Sequence, residues 1–318
     1  MSFTLDDSPV LALEGSITAA FEFFQRNLGK VVAQGVLDRE ILLDVDAVAP
    51  RTPSVSKVVG AAAQIRIHVA LLELLWAFIY SWMVVYEELV QKAQLRGDQV
   101  GQTTPGNESL VVRAEELWVW ARDLRNGYKP WPANLPSPRV QADDLEAYYA
   151  GKAKIAFERA VAFMLLHECA HATQGHLDIP QSCGTVDASL MQLENEADQL
   201  AMSSLVEQGL ADEEKAAQAW AILSSMLSSI FTRPNPKLAL VSRTHPPVHH
   251  RLGHLVRSLD FQEGPYKYYF HSLCRTVLHD AFPFLARPGQ LYKDAEESLQ
   301  AALDDLDELA SSAEPSIS

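Results

Sequence analysis

Basic residues are scarce in this sequence: 26 lysines and arginines stand against 41 acids, a net charge of −15 over 318 residues. Nucleic acid is bound by basic surfaces, so no nucleic-acid partner is expected. An anionic membrane surface is disfavoured on the same ground. Cysteine is scarcer still, and Cys169, Cys183 and Cys274 are too few and too scattered for a disulfide framework. No secretory signal is expected either, because the opening "MSFTLDDSPVLALEGS" carries acids where such a signal carries lysine or arginine. A reducing, cytoplasmic setting is the expectation. Nor is there a long apolar run free of charge. The longest, Val69 to Tyr86, contains Glu73 and is bracketed by His68 and Glu87. It is expected to be a buried core helix rather than a membrane span. No internal repeat is present.

The hydrophobic share, 48%, is enough for a globular core, and its spacing is mostly helical. Apolar positions recur with helical period over residues about 11–33, 60–96, 107–125 and 141–176. A helix is expected from Asp187, a good N-cap, to Gly209, and another from Asp212 to just before "RPNP" at Arg233–Pro236. "EILLDV", Glu40 to Val45, is the one run that reads as a strand. "NGYKPWPANLPSPRV", with four prolines, reads as an extended connector whose Tyr128 and Trp131 could rim a cleft. The predicted fold is mainly α with at most a small sheet. Its parts are a helical N-terminal part (1–140), a core carrying the chemistry (141–260), C-terminal helices (261–311) and a disordered tail (312–318).

Within the fourth helical window lies "FMLLHECAHATQGHL", in which His167, Glu168 and His171 interrupt an apolar run. At 100° per residue, His167 and His171 project from one face, a turn apart. Two imidazoles so placed can converge on one zinc ion, and Glu168 can reach the open coordination position to take a proton from water. Buried imidazoles and a carboxylate without partners are costly, and a metal is such a partner. The alternative is a pair of core histidines with satisfied hydrogen bonds. Gln174 and Leu177 stand where a longer histidine motif would need Gly and His, so the third ligand lies elsewhere. His176, beside Gly175, is expected to leave the helix and cap or pack. In "LENEADQLA", Glu194 and Asp198 share a helix face with Ala197 and Ala201, small enough for close packing on the first helix. Glu194 is the expected third zinc ligand. Asp198 is expected to accept the second N–H of a ligand histidine.

Residues 167–201 resemble the gluzincin metallopeptidases, whose third ligand is a glutamate on a following helix. "ENEADQLA" is similar to the signature of the prenyl-protein (CAAX) protease and HtpX heat-shock protease group. "THPPVHHRL", Thr244 to Leu252, resembles that group's His-Pro segment followed by an arginine. The resemblance implies His167, His171 and Glu194 as metal ligands, Glu168 as general base, and His245 and Arg251 near the site. With Tyr149, those last two are the candidate oxyanion donors. His249, His250 and His254 are read as surface residues. "IHVALLELLWAFIYSWMVVYEEL" and "LLHECAHATQGHL" also resemble the Lit-type phage-exclusion peptidases of bacteria. That likeness implies a cytosolic peptidase acting on a host protein during phage infection.

The expected function is therefore a zinc-dependent endopeptidase with a protein or peptide substrate. The competing expectation is a helical partner-binding protein whose zinc is structural, closed by Cys183 or His176 as a fourth ligand. Cys183 could alternatively occupy the open zinc position and silence an enzyme. Cys169 should face the core and stay inert.

Overall fold

The computed structural model describes residues 5–179, 188–206, 210–240, 246–259, 261, 264–285 and 290–313. Two helices form its centre. The first is α3 (Val69–Tyr86), preceded by α1 (Glu14–Phe24) and α2 (Leu28–Ala33) and continued through a π-helical turn at Glu87–Gln91 into α4 (Lys92–Arg96). Every residue from Ile67 to Ser81 is buried, so this helix is apolar on all sides because it has protein on all sides. Phe78 and Trp82 meet Trp118 of α5 (Glu108–Asp123), and Trp76 meets Trp131 of the proline-rich connector. The run long enough to cross a membrane is thus the core of the fold, as its interrupting glutamate implied.

The second central helix is α6 (Asp144–Thr173), about 45 Å long at 1.5 Å per residue. Asp143 caps it by accepting the Glu146 N–H at 2.8 Å. Glu146 in turn accepts from Arg113 and from the Ala142 N–H. The helix ends where Gly175 turns left-handed (φ 75°), a conformation strained for any residue with a Cβ. Around it pack α1, α3, α7 (Ala188–Leu205) and α8 (Asp212–Ser229). Helix α9 (Val248–Ser258) lies on α8 and α11 (Ala295–Ala313), and α10 (Pro265–Ala281) on α8 and α11.

A three-stranded sheet accompanies the helices, in the order β1 (Leu42–Asp44), β3 (Gln64–His68), β2 (Ser54–Ser56). Strand β1 runs parallel to β3 with Leu42 opposite Arg66, and β2 antiparallel with Ser54 opposite the same arginine. The mainly α reading with a small sheet holds, and the run Glu40–Val45 contains a strand, over Leu42–Asp44. The helix expected over 60–96 starts late, because residues 64–68 alternate buried and exposed side chains and pair as β3. The connector is no plain linker: Trp131 stacks into the Trp76 and Trp120 cluster, so it is part of the core and away from the cleft described below. The expected caps at Asp187 and Gly209 fall outside the described residues, as does most of the tail expected over 312–318, whose residues 312 and 313 instead end α11.

Glu73 lies wholly buried in α3, accepting the Ser8 hydroxyl at 2.6 Å. Burial pushes its pKa up to about 7, with the Ser8 bond working against the rise. The folded state therefore holds a proton that the unfolded chain releases at lower pH. Its contribution is full below the ordinary carboxylate range and is lost as pH rises through 7. Glu73→Gln is expected to match wild type near pH 5 and to exceed its unfolding free energy by up to about 3 kcal/mol near pH 9. Chemical denaturation at the two pH values checks this; an equal difference at both contradicts it.

Candidate active site

The last turns of α6 bring His167 and His171 to a buried corner beneath α7, their ring centroids 4.8 Å apart. The Nε2 atoms of the two rings are 3.1 Å from each other. Facing them on α7 is the buried Glu194, with Oε2 3.4 Å from His167 Nε2 and Oε1 3.3 Å from His171 Nε2. Ala197 and Ala201, both buried, line the same helix and permit this approach. Four-coordinate zinc with bonds of about 2.0–2.1 Å sets neighbouring donors about 3.3 Å apart. The two Nε2 atoms, and each Nε2 with the carboxylate oxygen it faces, therefore stand near that spacing, and the set of two imidazoles and a carboxylate suits that metal.

Each ligand-like ring is braced from behind. Asp198, one turn after Glu194, places Oδ1 2.8 Å from His167 Nδ1. In the neutral ring that bond fixes the tautomer whose Nε2, on the Glu194 side, is free to ligate a metal. Asp198 is itself gripped by the guanidinium of Arg251, from α9: Nε donates to Oδ2 at 2.7 Å and Nη2 to Oδ1 at 2.6 Å. Burial pushes the Asp198 carboxyl up, but Arg251 and His167 outweigh it and hold the carboxyl well below its usual range. Burial likewise opposes charge on His167, and the Asp198 and Glu194 carboxylates reverse the outcome, raising its pKa to about 9. His171 is braced by His176, whose Nδ1 lies 3.0 Å from His171 Nδ1. Behind His176, Glu196 stands with a carboxylate oxygen 3.6 Å from its Nε2. His176 thus meets the ring edge opposite Nε2, the wrong side for a fourth ligand to the same ion.

A cleft opens beside this corner. His167, Glu168 and Arg251 lie in its wall with Phe163, Met164, Met226 and Arg233, and Thr52 and Pro53 enter it just before β2. Glu168, partly exposed, is the carboxylate that fronts the cleft beside the histidines. Tyr149 is not part of the site. It lies five turns earlier on α6, about 27 Å along the axis, where its hydroxyl donates to Glu88. Cys169 is buried, and burial pushes its thiol up, as an inert core residue requires. His245 and Cys183 fall outside the described residues. Two features escaped the sequence reading. The edge strand β2 is three residues long, too short for alternation to register. His176 as a brace for His171 was legible only in its place one residue after the left-handed Gly175.

Comparison with known families decides the class. Residues 65–271, about two thirds of the chain, match the Peptidase U49 model. The chain belongs to the Peptidase U49 family. It is therefore a peptidase, and the matched span of this U49 chain contains all of His167, Glu168, His171, Glu194, Asp198 and Arg251. No curated protein and no solved structure matches it.

In the U49 chain, Arg251 ties α9 to α7 through a desolvated ion pair. Arg251→Leu leaves the Asp198 carboxylate buried without its guanidinium. Unfolding stability should fall by about 3–5 kcal/mol, read as a shift in urea midpoint. A loss near zero would mean that the pair does not hold α9 in place.

Proposed function

We propose that this U49 peptidase is a zinc-dependent endopeptidase of the gluzincin type that cuts a cytosolic protein in a phage-exclusion response. The reading is carried by one observation: His167, His171 and the carboxylate of Glu194 converge, each imidazole Nε2 within 3.4 Å of a Glu194 oxygen, beside an open cleft that also holds Glu168. Zinc held by these residues would polarise the scissile carbonyl and acidify a water molecule at neutral pH. Glu168 accepts the proton of that water as it attacks the carbonyl carbon, then returns it to the leaving amine. Asp198 and His176 keep the two imidazoles in the orientation the chemistry needs. Arg251, in the cleft wall, sets its positive charge beside the carbonyl oxygen where negative charge develops. His245 is proposed as a further donor there on the strength of the "THPPVHHRL" resemblance.

Strand β2 supports an extended peptide as substrate. It pairs with β3 on one side only among the described residues, and Thr52 and Pro53, which lead into it, line the cleft. A peptide can add to such an edge by main-chain hydrogen bonds. The phage-exclusion setting rests on the resemblance to Lit-type peptidases in the segments Ile67 to Leu89 and Leu165 to Leu177. A structural zinc is less well supported, because the site adjoins a cleft and His176 faces away from the convergence point.

Glu168→Gln separates the two. Cleavage of a quenched fluorescent peptide library is expected to fall by about 10²–10⁴-fold, with zinc content by mass spectrometry unchanged from wild type. Activity retained in this variant would remove Glu168 as the base and with it the mechanism.

A further inference from the structure

Helices α9 and α11 are held together at a second cluster that the peptidase chemistry does not use. His249 and His250 occupy the first turn of α9, and both direct Nε2 at one oxygen, Oδ1 of Asp307, on α11. The His249 contact measures 2.9 Å. His249, expected at the surface, is in fact fully buried as a side chain, whereas His250 and Asp307 are about half exposed, at 54% and 50%. Helix approach explains the placement. A Cβ on Gly253 would lie 3.2 Å from Leu303 Cδ1, so a glycine at this point lets α11 lie close on α9. One turn back from Gly253 is His249, and one turn on from Leu303 is Asp307, so the close contact sets the three side chains opposite each other.

We propose that His249, His250 and Asp307 form a second metal site, which binds a transition-metal dication such as zinc and staples α11 onto α9. The three ligand atoms lie within 4.8 Å of one another. Side-chain rotations that widen both contacts to Asp307, 2.9 Å at His249, reach the donor spacing of about 3.3 Å that tetrahedral zinc needs. Two imidazole nitrogens favour zinc, cobalt or nickel over magnesium and calcium, which prefer all-oxygen sets. Buried on one side and open at His250 and Asp307 on the other, the site offers the ion both an anchor and an entry. Without an ion, two N–H groups must crowd onto one carboxylate oxygen; with one, both nitrogens and the oxygen share a common partner. Asp307 lies beyond the span matched by the family model, which ends at residue 271. The staple acts on the active site indirectly, since Arg251, the grip on Asp198, follows His250 directly in the same helical turn.

Zinc stoichiometry after chelation, reloading and removal of loose metal tests the site. The full-length wild type should hold about two zinc ions. Asp307→Asn should hold about one; its amide oxygen still accepts imidazole N–H groups, so α11 stays docked while a charged ligand is lost. Glu194→Ala should also hold about one, and the double variant none. Zinc should raise the melting temperature of Glu194→Ala but not of the double variant. Asp307→Asn holding as much zinc as wild type, or equal zinc-induced shifts in Glu194→Ala and the double variant, overturns the proposal. Failure of the active-site ligand assignment would show separately, as Glu194→Ala with undiminished zinc.

Discussion

The contact on which the site depends is the crossing of α6 and α7, where two imidazoles and a carboxylate share one buried corner. Side chains of this kind are stable in an interior only if their lone pairs and protons are all committed. The fold commits them in opposite directions. Each ring's Nδ1 is engaged outward, by Asp198 for His167 and by His176 for His171, which leaves both Nε2 atoms turned inward on Glu194. Such a convergence costs free energy unless a partner, such as a metal ion, offsets it. Here it lies in the wall of a cleft, beside a glutamate placed to move a proton.

The surrounding architecture holds that corner rigid. Helix α3 fills the centre with aromatic side chains and gives α6 a fixed bed. The small residues of α7 set its distance from α6, and Arg251 links α7 to α9 through a two-pronged ion pair. Chain segments far apart in sequence thereby converge: the ligand-like histidines lie near residue 170, the brace near 200 and its grip near 250. Breaking the Arg251 to Asp198 pair would act on His167 without touching it.

Much of this was legible in the sequence, for identifiable reasons. Histidines four apart inside an apolar helical run have one geometric outcome, and Glu194 with Asp198 beside two alanines has nearly as definite a one. The length of α6 and the buried nature of α3 follow from periodicity and from Glu73. Other features were hidden because they depend on partners that periodicity cannot name. Residues 64–68 became a strand only because β1 and β2 lie on either side. Tyr149 reads as a possible oxyanion donor until the straightness of a long helix separates it from His167. His249 reads as a surface residue until the glycine at 253 brings α11 across it. The connector's prolines suggest a linker, but its tryptophan finds the aromatic core.

The most direct test of the central claim is a crystal structure of zinc-loaded protein with anomalous diffraction recorded on both sides of the zinc absorption edge. The account predicts a zinc peak between His167 Nε2, His171 Nε2 and Glu194, about 2.0–2.2 Å from each donor. An active, zinc-supplied protein with no peak at that corner would contradict it.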